Sequence, residues 1–180
     1  MPIDNRLYEA KDLKKILGLT PETIYLWLRT YHIFEPTERA HGVRGKNKYS
    51  LLDLVKLMLI SRLQTFGINL TCVQGIFVEL DKVDNGKSLW ERIVIERNRF
   101  DRDGALLVIT RLGPTIWSFR GRLGTWKRPP DQDFSVSLLS YKEAVSQFKK
   151  ELKAPLTTLI VNLNMILRIV EAQTKERLGQ

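Results

Sequence analysis

Four basic side chains lie close together between Arg39 and Leu52, a stretch without any acidic residue: Arg39, Arg44, Lys46 and Lys48. The glycines and the asparagine among them favour a tight turn. Glycine lets a backbone turn sharply and approach another molecule closely. The chemistry that suits cations on such a turn is the neutralisation of phosphate groups on a polyanion. The sequence therefore predicts a phosphate-binding loop, to which Asn47 can add an amide donor.

The chain as a whole is basic, with a formal net charge of +9 over 180 residues and a pI near 9.8. This balance favours a nucleic acid as partner first and an anionic membrane second. A single cysteine, Cys72, excludes disulfides and multi-cysteine metal sites within one chain. His32 and His41 are expected near the surface or near phosphate. No apolar run approaches the roughly 20 residues of a membrane span, so we expect a cytoplasmic protein without membrane, metal or cofactor.

Catalytic signatures are missing from the sequence. The patterns G-x-x-x-x-G-K-[ST], G-x-G-x-x-G and G-x-S-x-G do not occur. The acids and arginines that are interspersed between Glu91 and Asp103 are typical of a solvated, ion-paired surface. We therefore expect a binding protein and not an enzyme.

Two short helical patterns precede the basic loop. The apolar spacing from Leu13 to Leu17 predicts one helix, and Gly18 is placed to end it. Thr20 offers an N-cap for the next helix and Pro21 its first residue. The predicted buried face of this second helix consists of Ile24, Trp27, Leu28 and Tyr31. Helix, short turn and helix is the arrangement of a helix-turn-helix.

A longer helix is predicted after the loop. Ser50 and Asp53 form a capping box, which predicts a helix that starts at Leu51 and ends before Gly67, with a short helix from about 70 to 80 after it. A helix-turn-helix followed by a basic hairpin and another helix is the layout of a winged helix. Its recognition helix meets base edges in the major groove, and its hairpin, the wing, would lie on the sugar-phosphate backbone.

The ordered string DLKKILGLTPETIYLWLRTYHIFEP, followed by RGKNKYSLLDLVKLMLISRLQTFGINLTCVQGIF, resembles the DNA-binding domain of MerR-type transcription regulators over roughly residues 8–80. The resemblance implies a homodimer on double-stranded DNA, paired through a C-terminal helix, with a small-molecule or protein effector that the sequence does not identify. Base or near-base contacts are then predicted from Thr20, Pro21, Glu22, Thr23, Tyr25 and Arg29. Wing and backbone contacts are predicted from Arg39, Arg44, Lys46, Asn47, Lys48 and Tyr49.

The sequence departs from the family pattern at two places. Tyr25 stands where the family usually has an arginine, which puts a usual phosphate contact in doubt. The wing, GVRGKNKYS, is longer than the typical GxRxYS, and either Arg44 or Asn47 takes the position of the family's wing arginine. A longer wing with more glycine can reach further along the DNA backbone.

The rest of the chain changes pattern twice. Residues 81–137 are strand-like and predict a small antiparallel β module. Residues 138–180 return to helical spacing with Pro155 in the middle, which predicts one kinked helix or two helices. The predicted dimer interface consists of Leu156, Leu159, Leu163, Ile166 and Val170. The alternative is that this stripe packs on the chain's own sheet.

The predicted fold is α+β and mainly helical, with three domains: a winged helix-turn-helix (1–80), a β module (81–137) and a C-terminal helix or helix pair (138–180). The predicted function is that of a sequence-specific, homodimeric DNA-binding transcription regulator. Two alternatives stay open. One is an excisionase-like DNA-architecture factor, and the other is an antitoxin-type autoregulator whose C-terminal region binds a protein partner.

Overall fold

A computed structural model of the chain describes residues 6–40, 45–81, 83–84, 87–88, 90, 106–111, 115–119, 122–126, 134–139, 146 and 158–178. The chain divides into two compact units. The first comprises residues 1–70 and 164–180, and the second comprises residues 71–163. The predicted domains 1–80, 81–137 and 138–180 do not coincide with these units and stay a prediction.

Helices predominate in the first unit and strands in the second. The helices of the described residues are α1 (Ala10–Leu17), α2 (Pro21–Tyr25), α3 (Leu51–Thr65), α4 (Leu70–Asp81) and α5 (Leu163–Leu178). The strands are β1 (Val83–Asp84), β2 (Lys87–Ser88), β3 (Leu106–Arg111), β4 (Thr115–Phe119), β5 (Arg122–Trp126), β6 (Phe134–Leu139) and β7 (Thr158–Asn162).

Local sequence sets the turn between α1 and α2. Gly18 ends α1 with a φ of 72°, a left-handed conformation that glycine adopts readily. Thr20 caps α2, because its hydroxyl accepts a hydrogen bond from the backbone N–H of Thr23 at 3.3 Å, and Pro21 is the first helical residue. The predicted helix-turn-helix is therefore present in this part of the chain.

The helix α2 continues into a π-helical turn over Leu26–Thr30, and the name α2 covers both segments from here on. There the backbone N–H of Tyr31 donates to the carbonyl oxygen of Leu26 at 3.1 Å. A turn closed between residues i and i+5 holds one residue more than an α-helical turn, so later side chains lag behind the predicted spacing. This lag explains why Tyr31 is only half-buried, contrary to the prediction. The other members of the predicted stripe are buried: Ile24, Trp27 and Leu28.

The helix α3 forms the centre of the first unit. Its capping box is reciprocal, because Ser50 Oγ accepts from the N–H of Asp53 at 3.3 Å and Asp53 Oδ2 accepts from the N–H of Ser50 at 3.0 Å. The helix ends before Gly67, whose φ is 80°. Eight of its 15 residues are buried: Asp53, Leu54, Val55, Leu57, Met58, Leu59, Ile60 and Leu63. A helix that is apolar around so much of its surface is a core element.

The helix α5 carries one buried stripe at helical spacing: Leu163, Ile166, Leu167, Val170 and Thr174. Within the first unit its end contacts α1, because Arg177 Nη1 donates to the carbonyl oxygen of Lys15 at 2.5 Å. Carbonyl groups in the last turn of a helix have no partner inside that helix. Arg177 therefore supplies a hydrogen bond that α1 cannot make by itself.

The described strands of the second unit form three antiparallel sheets through four strand pairings. The strand β3 lies at the centre of a three-stranded sheet in the order β6-β3-β7, with Val108 opposite both Ser137 and Ile160. The pairs β1–β2 and β4–β5 form two-stranded sheets. The middle residues of β3 are buried: Leu107, Val108 and Ile109. The antiparallel strands predicted for residues 81–137 are thus confirmed where the structure describes them, but the sheet also recruits β7.

The helix predicted from residue 138 onward is confirmed only for Leu163–Leu178. Leu138 lies in β6 and Leu159 lies in β7. The helix that the heptad spacing predicted at these two positions is therefore wrong. Residues 157–161, TTLIV, are rich in β-branched side chains, which favour strands. A short apolar run fits a strand as well as a helix by periodicity alone. Pro155 lies outside the described residues.

Candidate nucleic-acid interface

The exposed face of α2 and its π-helical turn carries Glu22, Tyr25, Leu26 and Arg29. Tyr25 is 64% exposed and Leu26 is 42% exposed. Hydrogen bonds from its own backbone N–H and from the Thr20 hydroxyl lower the pKa of the Glu22 carboxyl below 4.5, so the side chain is charged at neutral pH. Because the opposite face of α2 is buried in the core, these four side chains are held toward solvent.

The basic loop, defined as residues 39–47, is closed by backbone pairing at its base. Glu38 and Lys48 exchange two hydrogen bonds of 3.1 and 2.9 Å. The next residue, Tyr49, exchanges two more with Tyr8, at 2.9 and 2.8 Å. Four backbone hydrogen bonds therefore fix where the loop leaves and re-enters the first unit. Residues 41–44 of the basic loop lie outside the described residues.

A buried carboxylate joins both ends of the basic loop to α3. Asp53, which is 4% exposed, accepts at Oδ2 from the N–H of Thr37 at 3.0 Å and from its hydroxyl at 2.6 Å. The same oxygen accepts from the N–H of Ser50 at 3.0 Å. Thr37 precedes the loop and Ser50 follows it. Asp53 is thus a positioning residue for the loop as well as a helix cap, and the capping box revealed only the second role.

The side chain of Asn47 makes a hydrogen bond within the basic loop. Its Oδ1 accepts from the N–H of Ala40 at 2.8 Å, across the loop. Burial raises the pKa of the Tyr49 phenol above 10.0, and a hydrogen bond with Asn47 opposes that rise. Asn47 therefore connects the two sides of the loop with the buried Tyr49. Its amide hydrogens are donors, and they are the part of the side chain that suits a phosphate.

Each cation of the basic loop and its base that the structure describes contacts a glutamate. Arg39 pairs with Glu35. Lys46 Nζ lies 3.2 Å from Glu9 Oε2. Lys48 Nζ lies 2.8 Å from Glu38 Oε2. Lys11 Nζ is also 3.5 Å from that same Glu9 oxygen. All these side chains are at least partly exposed, so the pairs are surface ion pairs that contribute little to stability and can exchange partners.

A pocket of about 400 Å³ brings the helix face and the basic loop together. Tyr25 and Arg29 line it from α2, and Lys46 and Asn47 line it from the loop. Lys11, from the first turn of α1, adds another cation to its wall. Cations from three separate segments therefore line one concave surface, together with the Glu9 carboxylate that pairs with Lys11 and Lys46. Exchange of these surface ion pairs would make the lysines available to a phosphodiester strand.

The predicted contact residues divide into three groups. Thr20, Pro21, Glu22, Tyr25 and Arg29 are exposed, as are Arg39, Lys46 and Lys48, while Thr23 and Asn47 are half-buried. Tyr49, which was predicted as a wing or backbone contact, is 2% exposed and belongs to the core, although it also lines the pocket of about 400 Å³. Arg44 lies outside the described residues. Arg39 lines a second pocket of about 150 Å³, together with Arg29 and Asn47.

Three residues of this surface were not predicted from the sequence. Glu9 and Lys11 lie at the start of α1, far along the chain from the basic loop, and nothing in the local pattern placed them beside Lys46. Thr37 precedes the loop and carries no recognised motif. Their roles depend on contacts across 16 to 37 residues of sequence, which only the folded chain shows.

The predicted dimer stripe does not lie on the surface. Leu163, Ile166 and Val170 are 0%, 5% and 0% exposed in the single chain. Leu159 belongs to β7, and Leu156 lies outside the described residues. Packing within the single chain accounts for the burial of these three side chains. Packing on the chain's own sheet, the alternative drawn from the sequence, stays a prediction. The exposed side of α5 carries Met165, at 58% exposure, Arg168 and Ala172.

Two kinds of feature are absent from the part of the chain that the structure describes. No helix there is both long enough and apolar enough to cross a membrane. No group of three or more histidine, cysteine, aspartate or glutamate side chains there is arranged to hold a metal ion.

Residues 8–80 match the family model of the MerR HTH family regulatory protein. This range covers α1 to α3 and most of α4, and includes the pocket between α2 and the basic loop. The match confirms the resemblance predicted from the sequence, that of this segment to the helix-turn-helix domain of a family of DNA-binding transcription regulators. No curated protein matches the chain.

Proposed function

We propose that this protein, whose residues 8–80 form a MerR-type helix-turn-helix domain, is a sequence-specific transcription regulator of double-stranded DNA. It acts as a homodimer, with α2 in the major groove and the basic loop as a wing on the phosphate backbone. The observation that carries the proposal is the shared pocket. Two elements that are separate in sequence, the exposed face of α2 and the basic loop, line one concave surface.

The two elements differ in chemistry, which supports a division of roles. The face of α2 carries an acid, two large apolar side chains and one arginine, while the basic loop and its base carry Arg39, Lys46 and Lys48. Phosphate contacts set register and orientation, whereas base edges carry the sequence information. The loop therefore positions the protein on the backbone, and α2 reads the bases.

The dimensions of α2 fit the major groove. A helix with its side chains is about 10–12 Å across, and the major groove of B-DNA is about 12 Å wide. At the N-terminal end of α2, Thr20, Pro21 and Glu22 are all exposed. Recognition helices place their N-terminal residues against base edges. The same end of α2 is therefore the one that enters the groove.

The homodimer rests on a different surface from the one that the sequence suggested. Since Leu163, Ile166 and Val170 are buried, a second copy would contact the exposed side of α5, where Met165 is 58% exposed. Light scattering at micromolar concentration tests this part of the proposal. A dimer that Met165→Asp dissociates is expected, and a wild-type monomer would overturn it without affecting the assignment of the DNA surface.

The experiment that tests the DNA surface begins with selection of bound fragments from a random duplex library. Affinity for the selected duplex is then measured by fluorescence anisotropy for the wild type, Arg29→Ala, Lys46→Ala and Arg62→Ala. Arg62 is the matched control. It is exposed, lines neither pocket, and lies roughly 18 Å along α3 from Ser50 at 1.5 Å per residue.

We expect Lys46→Ala to reduce the slope of log K against log salt by about 1.8 for the homodimer, because each of its two copies loses one phosphate contact of about 0.9 on B-DNA. Arg29→Ala is expected to weaken binding as well, by about 1–3 kcal/mol if it contacts a guanine edge. Arg62→Ala should change neither quantity. Failure to select any duplex, or equal losses in all three variants, would overturn the proposal.

A further inference from the structure

The exposed face of α2 carries the pair Tyr25 and Leu26, at 64% and 42% exposure. Among the residues whose side-chain exposure the structure describes, they are the one case in which two large exposed apolar side chains are adjacent in sequence. Scattered single apolar side chains are normal on protein surfaces. The opposite face of this helix packs in the core. Two adjacent exposed apolar side chains on such a helix therefore indicate a surface that contacts another molecule.

The two side chains differ in their surroundings. Tyr25 lines the pocket beside Lys46 and Asn47, and its hydroxyl can donate a hydrogen bond. Leu26 is not part of that pocket and has no polar atom in its side chain. It can therefore recognise a partner only through apolar contact.

The charge around Leu26 argues against a phosphate as its neighbour. Glu22 lies one turn before it on the same face and is charged at neutral pH, so this part of the helix repels phosphate groups. Apart from Arg29, the cations that line the pocket lie on α1 and on the basic loop and not on this helix. A helix face with an acid and apolar groups at its centre and cations at its edge is suited to base edges, with phosphates at the rim.

The chemistry of the major groove then limits what an aliphatic side chain can read there. The four base pairs present donors and acceptors in that groove, and the single apolar group among them is the 5-methyl group of thymine. We infer that Leu26 is a specificity-determining residue, which packs on the 5-methyl group of a thymine in the bound site. The inference rests on the proposed function, since it requires α2 to enter the major groove.

Removal of one methyl group from DNA provides the test. In the duplex selected by the wild-type protein, each thymine is replaced in turn by deoxyuridine, which keeps the same hydrogen-bonding edge and lacks the methyl group. Burial of one methyl or methylene group is equivalent to about a fourfold change in affinity. We expect the wild type to lose about fourfold at one or two thymines on each half-site.

Leu26→Ala should bind thymine and deoxyuridine at those positions with equal affinity. The matched control is Leu7→Ala, because Leu7 is also an exposed leucine, at 37% exposure, and lies outside α2. Leu7→Ala should keep the fourfold preference for thymine. The comparison of two substrates within one variant also removes any general loss of stability from the result.

Two results separate this inference from the proposed function. A specific duplex on which no thymine replacement weakens wild-type binding overturns the role of Leu26 and leaves the proposed function intact. A preference for thymine that persists in Leu26→Ala also overturns it. Absence of any specific duplex in the selection overturns both together.

Discussion

Replacement of Asp53 by alanine removes the carboxylate that joins the ends of the basic loop to α3. One buried oxygen atom, Oδ2, accepts hydrogen bonds of 3.0 and 2.6 Å from Thr37 and 3.0 Å from Ser50. A hydrogen bond to a charged group contributes about 1.5–3 kcal/mol, and a buried donor left unpaired costs about 1–3 kcal/mol. Because the three bonds share one acceptor, we expect their loss to lower the free energy of unfolding by about 3–4 kcal/mol, less than their sum.

Smaller substitutions measure the separate contributions to this loss in the free energy of unfolding. Thr37→Val keeps the shape of the side chain and removes only the hydroxyl donor, so a loss of about 1 kcal/mol is expected. Asp12→Ala is the control for simple helix capping, because Asp12 accepts one hydrogen bond, from the N–H of Glu9 at 2.9 Å. Loss of such a cap costs about 0.5–2 kcal/mol.

Urea denaturation followed by circular dichroism measures these differences, and DNA affinity measures the position of the loop. Asp53→Ala should weaken DNA binding under conditions where the domain is still folded, whereas Asp12→Ala should bind DNA nearly as the wild type does. The description of Asp53 as a positioning residue is wrong if its replacement lowers the free energy of unfolding no more than Asp12→Ala does. It is also wrong if the folded variant keeps full affinity.

Three further predictions concern single contacts. The hydrogen bond from Lys46 holds the pKa of the Glu9 carboxyl below 4.5; the stability this gives is complete above the unfolded pKa and is lost as pH falls through the folded value. Titration by nuclear magnetic resonance should show this low pKa and its return toward 4.5 in Lys46→Ala; a wild-type value at or above 4.5 would contradict the pairing. Gly18→Ala should lower the free energy of unfolding by about 1–2 kcal/mol, because φ is 72° in otherwise open space; an unchanged denaturation midpoint would exclude backbone strain. Asn47→Ala should weaken DNA binding without changing the salt slope, because it removes the bond to Ala40 and no charge; a slope reduced as in Lys46→Ala would refute this.

The ends of the helices in the first unit were predictable because the residues that cap them lie close by in the sequence. Gly18, Thr20, Pro21 and the Ser50 capping box act within one helical turn of their own positions. Neighbouring residues therefore carry enough information to place the ends of α1, α2 and α3. The π-helical turn was not predictable in this way, since a spacing of 3.6 residues was assumed throughout and Tyr31 was placed wrongly as a result.

The strands after residue 137 were missed for a different reason. A run such as TLIV, residues 158–161, satisfies helical and strand periodicity alike over so few residues. Its partner in the sheet is β3, about 50 residues earlier in the chain, as in the pairing of Ile109 with Leu159. The choice between helix and strand was thus made by tertiary pairing. The pair Asn85 and Gly86 is, by contrast, a strong local hairpin signal, and it would have predicted the pairing of β1 with β2.

The ion pairs around the basic loop could not be predicted from the sequence of the loop itself. The stretch from Arg39 to Leu52 contains no acid, yet the fold places three glutamates beside Arg39, Lys46 and Lys48. In the proposed complex with DNA, each cation would exchange its glutamate for a phosphate. The net electrostatic gain is therefore smaller than the count of lysines and arginines indicates, and non-specific affinity, which depends on that gain, is reduced.

With a smaller electrostatic contribution from the basic loop, discrimination between DNA sequences depends more strongly on α2. If the basic loop contributes less to binding any DNA, contacts made only with the right bases form a larger share of the binding free energy. The side chains available for such contacts are Glu22, Leu26 and Arg29, an acceptor, an apolar surface and a donor on one helix face. The glutamates around the loop and the mixed chemistry of the helix therefore act in the same direction, since both raise the ratio of specific to non-specific binding.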